Sequence, residues 1–255
     1  MMLAVPSFAD TLANYTLTGA GNSNVATLSG DGGATTVTGY AGRYTGQLGG
    51  NDINVFCVDL NHDINFGQGY AADVSHSISD ASGAQNGDYF NGGLASALDS
   101  GYYNPGPGPL TNQQRADEVG YLIHAYDNAK AANFHNSYDL TTNETAVSLS
   151  IWDIIADGGD GLTHGKMVSD AGTASTYGSL VSNLETQAQN YKNSQFLDVT
   201  WIQAPTSGGL QGFGYTNYVA PVPEAGTVAI FGLMLIGGVL TLRTRGKQTA
   251  NEPQA

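Results

Sequence analysis

One cysteine, five histidines and twenty-two acidic residues are the side chains of this 255-residue chain best suited to bind a metal or attack a substrate. The cysteine, Cys57, stands in the apolar run Phe56-Cys57-Val58-Asp59-Leu60. A lone cysteine closes no internal disulfide, so Cys57 is either a reactive thiol or a small buried residue. Asp153, Asp157 and Asp160, with Asp170 beyond, surround Gly158-Gly159 and Gly161. Carboxylates on a Gly-rich turn offer the hard oxygen ligands that suit Ca2+. The spacing matches no EF-hand loop, and turn chemistry at a helix C-terminus accounts for the glycines equally well. The sequence therefore requires no cofactor, and Ca2+ at Asp153, Asp157 and Asp160 is the one metal it admits. The histidines, at 62, 76, 124, 135 and 164, have no HExxH or other metal-ligand spacing. His124 falls beside the apolar face of a helix and reads as packed. Asp117 and Glu118 are adjacent, so a helix turns them to different faces, and a solvated surface is expected there. No G-x-S-x-G elbow, phosphate-cradling loop or nucleophile–base pair is present, and the chain reads as a non-enzyme.

The elements that must position these groups come in blocks. Segments 14–18, 24–28 and 35–45 are rich in Thr, Val and Tyr and are broken by glycines, which predicts strands. Segment 53–60 predicts a further strand carrying Cys57. Residues 68–99 are polar and Gly-rich and predict loops with a short helix near 94–98. The run from Asn104 to Pro109, alternating Pro and Gly, is a rigid connector. Helical spacing follows. Thr111 or Asn112 caps a helix with Ala116, Val119, Leu122, Ile123 and Tyr126 on one face. Thr141-x-x-Glu144 reads as a capping box opening a second helix, with Val147, Ile151, Ile154 and Ile155 inward and Gly158-Gly159 at its end. Tyr177, Leu180, Val181, Leu184, Ala188 and Tyr191 mark a third. Strands return at 196–203 and 210–219. The expected class is α+β: an antiparallel β-sandwich or barrel from the N- and C-terminal strands, with a helical insertion and one C-terminal transmembrane helix.

That last helix rests on the tail. From Thr227 to Leu242 the chain carries no charge and at helical rise would extend about 24 Å, enough to span a bilayer with local thinning. Arg243, Arg245 and Lys247 follow at once and, by the positive-inside rule, place the C-terminus in the cytoplasm. At the other end, Ser7 and Ala9 are small residues at the −3 and −1 positions of a secretory cleavage site. Nine residues are too few for a whole signal peptide, so the true start is expected upstream. The domain reading is 1–9 signal-peptide remnant, 10–220 exported ectodomain, 221–247 sorting and anchor segment, and 248–255 cytoplasmic tail. The formal net charge is −14, which disfavours nucleic acid as a partner. Fourteen tyrosines include Tyr40, Tyr44, Tyr102, Tyr103, Tyr215 and Tyr218 in Gly-flanked segments. Exposed aromatics of this kind stack on sugars, which would suit polysaccharide; cross-strand packing is the commoner use.

The tail resembles a PEP-CTERM sorting domain. Its elements occur in order: Val222-Pro223-Glu224-Ala225-Gly226, the apolar run, and the basic end. Ala225 stands where the family has a second proline. The resemblance implies export, an inner-membrane-anchored precursor, processing by an exosortase-type membrane protease or transpeptidase, and delivery to the surface or exopolysaccharide matrix of a Gram-negative, biofilm-forming bacterium. More distantly, Phe56-Cys57, Val119–Ile123 and Ser148–Ile155 are similar to thioester domains of bacterial surface adhesins. There a cysteine joins a glutamine shortly before an Ile-Trp pair. Cys57 matches that cysteine, and the glutamine position falls at Ser148, which has no carboxamide to join. The resemblance therefore implies an adhesin-like scaffold without the crosslink. The expected function is a non-catalytic structural or adhesive surface protein. A carbohydrate-binding module, or a covalent adhesin using Cys57, are the alternatives.

Overall fold

Alternation of apolar and polar residues builds the first strands. In β1 (Thr11–Gly19), Tyr15 and Leu17 are buried; in β2 (Ser23–Gly30), Ala26 and Leu28. The computed structural model describes residues 11–30, 35–59, 65–75, 112–128, 139–165, 167–190, 199–203 and 212–216. All lie in the first of two units into which the chain divides, Met1–Asn217. The remaining strands are β3 (Thr35–Leu48), β4 (Asn51–Cys57), β5 (Gly69–Ser75), β6 (Met167–Ser169), β7 (Val199–Gln203) and β8 (Phe213–Thr216). They form one eight-stranded antiparallel sheet in the order β1-β5-β7-β8-β4-β3-β2-β6. β1 also pairs with β3, through Tyr15↔Leu48 to Gly19↔Thr45, so the sheet curls back on itself. Of the two expected forms, a curled half-barrel is present rather than two stacked sheets.

The curl depends on β3. Its first half, Thr35 to Gly42, pairs with β2, and its second half, Arg43 to Leu48, pairs with β4. Gly42 is the pivot, at φ 149°, a conformation that L side chains rarely adopt. A Cβ there would stand 2.4 Å from the Asn22 carbonyl oxygen and 2.6 Å from Ser23 Cα. The strand can turn between partners only because that atom is missing.

Three helices are described: α1 (Asn112–Asn128), α2 (Leu140–Asp157) and α3 (Ala171–Asn190). On α1 the expected face is the buried one, with Ala116, Val119, Leu122, Ile123 and Tyr126 all in the core. α2 packs against β2, β3, α1 and α3. Contact on all these sides buries every residue from Asn143 to Ala156, so the expected single apolar face is only part of its buried surface. Its N-cap is Asp139, whose carboxylate accepts the Thr142 N–H at 2.8 Å. The expected Thr141/Glu144 capping box is thus corrected: Asp139 supplies the cap, and Glu144 is drawn into the core by Tyr126 and Arg43. Gly158, left-handed at φ 97°, ends α2 with its N–H on the Asp153 and Ile154 carbonyls. α3 begins at Ala171, ahead of the periodic residues, because Asp170 caps it through the Thr173 N–H at 2.8 Å.

β5 lies where loops were expected, and β6 was not expected. Both take their order from partners: β5 lies between β1 and β7, and β6 adds to β2. Among the described residues no helix is long and apolar enough to cross a membrane. The expected span at 227–242, the motif at 222–226, the basic flank at 243–247, the segment at 94–98 and the connector at 104–109 lie outside the described residues.

Replacing Gly42 with alanine should destabilise the protein by about 2 kcal/mol or more, since backbone atoms must move. Gly39→Ala, three residues away with nothing within 4 Å of the new Cβ, should change stability by less than about 0.5 kcal/mol. Urea unfolding of the two variants checks the contrast.

Candidate metal centre

The last turn of α2 carries Asp153 and Asp157, and the loop after it carries Asp160. One carboxylate oxygen from each lies within 4.8 Å of the others. Asp153 is fully buried, while Asp157 and Asp160 are half-buried. The loop returns over the carboxylates because Gly158, Gly159, Gly161 and Gly165 all take positive φ. The Gly161 N–H donates to Asp153 Oδ2 at 2.9 Å, and the Met167 N–H donates to Asp157 Oδ2 at 2.8 Å. Gly165 closes the turn: a Cβ there would meet Asp157 Oδ2 at 2.2 Å and Asp160 Oδ1 at 2.6 Å. Asp170, grouped with these acids in the sequence, is not with them here; it caps α3.

Two acids that the sequence reading did not include join the group. Glu185 of α3 is 3% exposed, and it and Asp153 act as hydrogen-bond partners when one holds a proton. No other group donates to Asp153 Oδ1 or Glu185 Oε1. Burial, then the charge of Glu185, hold the Asp153 carboxyl well above the usual range. Burial also pushes Glu185 up to about 8, and Asp157, Asp160 and Glu118 add to the rise. Glu118 of α1 is buried, not on the solvated surface expected for the Asp117-Glu118 pair, because that side of α1 faces α3 and α2. Arg115, one turn earlier, feels the charge of Asp157, which partly offsets the effect of burial on its guanidinium. The sequence did hold a signal for Glu185. It lies four residues after Val181 and three before Ala188, inside the apolar register of α3.

Cys57 ends β4 in the core, its thiol donating to the Asp59 carbonyl at 3.0 Å. The indole Nε1–H of Trp152 donates to the Cys57 carbonyl at 3.0 Å, which ties α2 to the end of this strand. Ser148, one turn before Trp152, is fully buried and its Oγ has no hydrogen-bond partner. Cys57, Ser148 and Trp152 thus all occupy core positions. Of the histidines, His124 is half-buried on α1 and His164 is exposed; the other three lie outside the described residues. Among the tyrosines, Tyr44 and Tyr215 are buried and Tyr40 is 48% exposed, while Tyr102, Tyr103 and Tyr218 lie outside the described residues.

A second polar cluster joins helices to sheet. Arg43 of β3 pairs with Asp127 at 2.9 Å, approaches Glu144 at 3.8 Å and lies 5.6 Å from the centre of the Tyr126 ring. The Tyr126 hydroxyl donates to Glu144 Oε1 at 2.6 Å, and Asp127 Oδ2 accepts from the Thr216 hydroxyl. Arg43, the Tyr126 hydroxyl and the Thr216 hydroxyl together partner both acids, and the cluster reads as a structural tie. Comparison with known proteins returns no matching family model, no matching curated protein and no matching solved structure.

The raised carboxyl of Glu185 sets a pH dependence. It binds a proton more tightly folded than unfolded, so its contribution is complete below about pH 4.5 and is lost as pH rises through about 8. In the presence of a chelator, the unfolding temperature should fall across that window, and Glu185→Gln should flatten the fall. Thermal unfolding against pH measures both.

Proposed function

We propose that this chain is an exported cell-surface or exopolysaccharide-matrix protein with a non-catalytic structural or adhesive ectodomain. One observation carries the reading: Pro223-Glu224, an uncharged run of membrane-spanning length at 227–242, and the cluster Arg243, Arg245 and Lys247 occur in that order. In this reading the precursor is anchored by 227–242 and recognised at 222–226 by an exosortase-type membrane enzyme. The ectodomain's chemistry fits a passive role. Its one thiol is buried under α2, and Ser148 stands where a thioester would need a carboxamide.

A second reading, binding to exopolysaccharide, is favoured by Tyr40 and Val25. They are direct cross-strand partners on β3 and β2 and are 48% and 60% exposed, so an aromatic face is open to a sugar ring.

The sorting reading is tested by the intact mass of protein recovered from the surface and medium of the native host. A chain ending near Val222 to Ala225, with no loss of ammonia, is expected. A chain running on to Ala255 would overturn processing, and loss of ammonia would restore the covalent adhesin. For the second reading, migration in gels containing the host's exopolysaccharide should be retarded, and Tyr40→Ala should remove the retardation.

A further inference from the structure

We propose that Asp153, Asp157 and Asp160 form a binding site for a hard divalent cation, Ca2+ by the character of the donors. The donor set is all carboxylate oxygen, which excludes a preference for the softer metals that take sulfur and nitrogen. Oxygens within 4.8 Å of one another fit around a single ion whose ligand bonds are about 2.3–2.6 Å. Acid proximity alone would not make a site, and three further observations point to a cation.

The first is Asp153, which is fully buried and whose Oδ1 has no partner besides another acid, Glu185. An ionised carboxylate held this way is costly unless a cation or a proton compensates it. The second is Glu185, delivered from a different helix, nine-tenths and more buried, with Oε1 in the same condition. The third is the backbone. The loop 158–165 is wound by four left-handed glycines so that Gly165 presses on Asp157 and Asp160 more closely than any side chain would allow. The Gly161 and Met167 N–H groups meanwhile fix the orientation of Asp153 and Asp157.

Charge balance points the same way. α1 contributes Arg115 and Glu118, α2 contributes Asp153 and Asp157, the loop contributes Asp160, and α3 contributes Glu185. Among the described residues, one guanidinium thus stands near five acids. Asp153 and Asp157 also sit at the negative end of the α2 dipole, where carboxylates are disfavoured and a cation is favoured. Asp157 and Asp160 are half-buried, leaving the ion a path to solvent and to the water ligands that Ca2+ takes beyond its carboxylates. The site would clamp the α2–α3 connection and is independent of how the chain is sorted.

The full-length chain, purified in mild detergent and stripped with chelator, is titrated with Ca2+ by calorimetry and with Tb3+ by luminescence excited through tryptophan. Trp152 adjoins Asp153 and serves as the donor. One saturable site is expected, with Ca2+ displacing Tb3+. The unfolding temperature should rise by about 5–10 °C at a hundredfold excess of Ca2+ over Kd. Asp160→Asn, at a half-buried position where folding is least threatened, should weaken Ca2+ about tenfold or more with an unchanged circular dichroism spectrum. Non-saturating binding spread over the acidic surface, or affinity unchanged in Asp160→Asn, would overturn the proposal. Because the readout uses purified protein, its failure is separate from any failure of the sorting reading.

Discussion

The burial of α2 on every side is the constraint from which the rest of the ectodomain follows. A helix enclosed by β2, β3, α1 and α3 can expose no polar side chain to water, yet this one carries Glu144, Thr145, Ser148, Ser150 and Asp153 in its buried span. Each of these side chains but Ser148, whose Oγ has no partner, is met inside the protein. Thr145 and Ser150 bond back to carbonyls one turn earlier, at 2.7 and 2.9 Å. Glu144 is met by Tyr126 and Arg43. The contact with the sheet is set by Trp152, whose indole reaches the Cys57 carbonyl where β4 ends. Apolar packing holds the helix in place, and these bonds fix its rotation and axial position.

The two ends of α2 meet different demands. At the N-terminal end one base meets two acids: Arg43 serves Asp127 and Glu144 together. Truncating one partner would strand the others in a dry site, so this cluster enforces a particular docking of helix on sheet rather than adding much net stability. At the C-terminal end, among the described residues, five acids stand near one base, with Asp153 and Asp157 at the unfavourable pole of the helix dipole. Protons can neutralise them, as the raised carboxyls of Asp153 and Glu185 show, and a divalent cation would do so at higher pH. The same helix that organises the core thereby creates, among the described residues, the one group of carboxylates close enough to share an ion.

Much of this was legible from the residues. Strands with a period of two and helices with a period near 3.6 stand out because one face of each is uniformly apolar, as in β2 and α1. The grouping of Asp153, Asp157 and Asp160 was visible because the helix end and the glycines lie next to one another in the chain. What was hidden depends on partners distant in sequence. β5 opens a polar, Gly-rich stretch and takes its place in the sheet from β1 and β7, which flank it. The N-cap was misread because the cap lies two residues before Thr141, where the exposed carboxylate of Asp139 accepts the Thr142 N–H. Glu118 was misplaced because nothing local separates an acid facing water from one facing other acids, whereas Glu185 was marked only by its place in the apolar register of α3.

The central claim is that α2 is the structural axis of the ectodomain and that its C-terminal carboxylates are completed by a cation. Hydrogen exchange of the full-length chain, compared in chelator and in saturating Ca2+, tests it most directly. The account predicts that amides from Ala146 to Ile155 exchange only on global unfolding in both conditions, and that Ca2+ slows exchange selectively at 158–167. Early exchange within α2, or a Ca2+ effect absent from that loop, would contradict it.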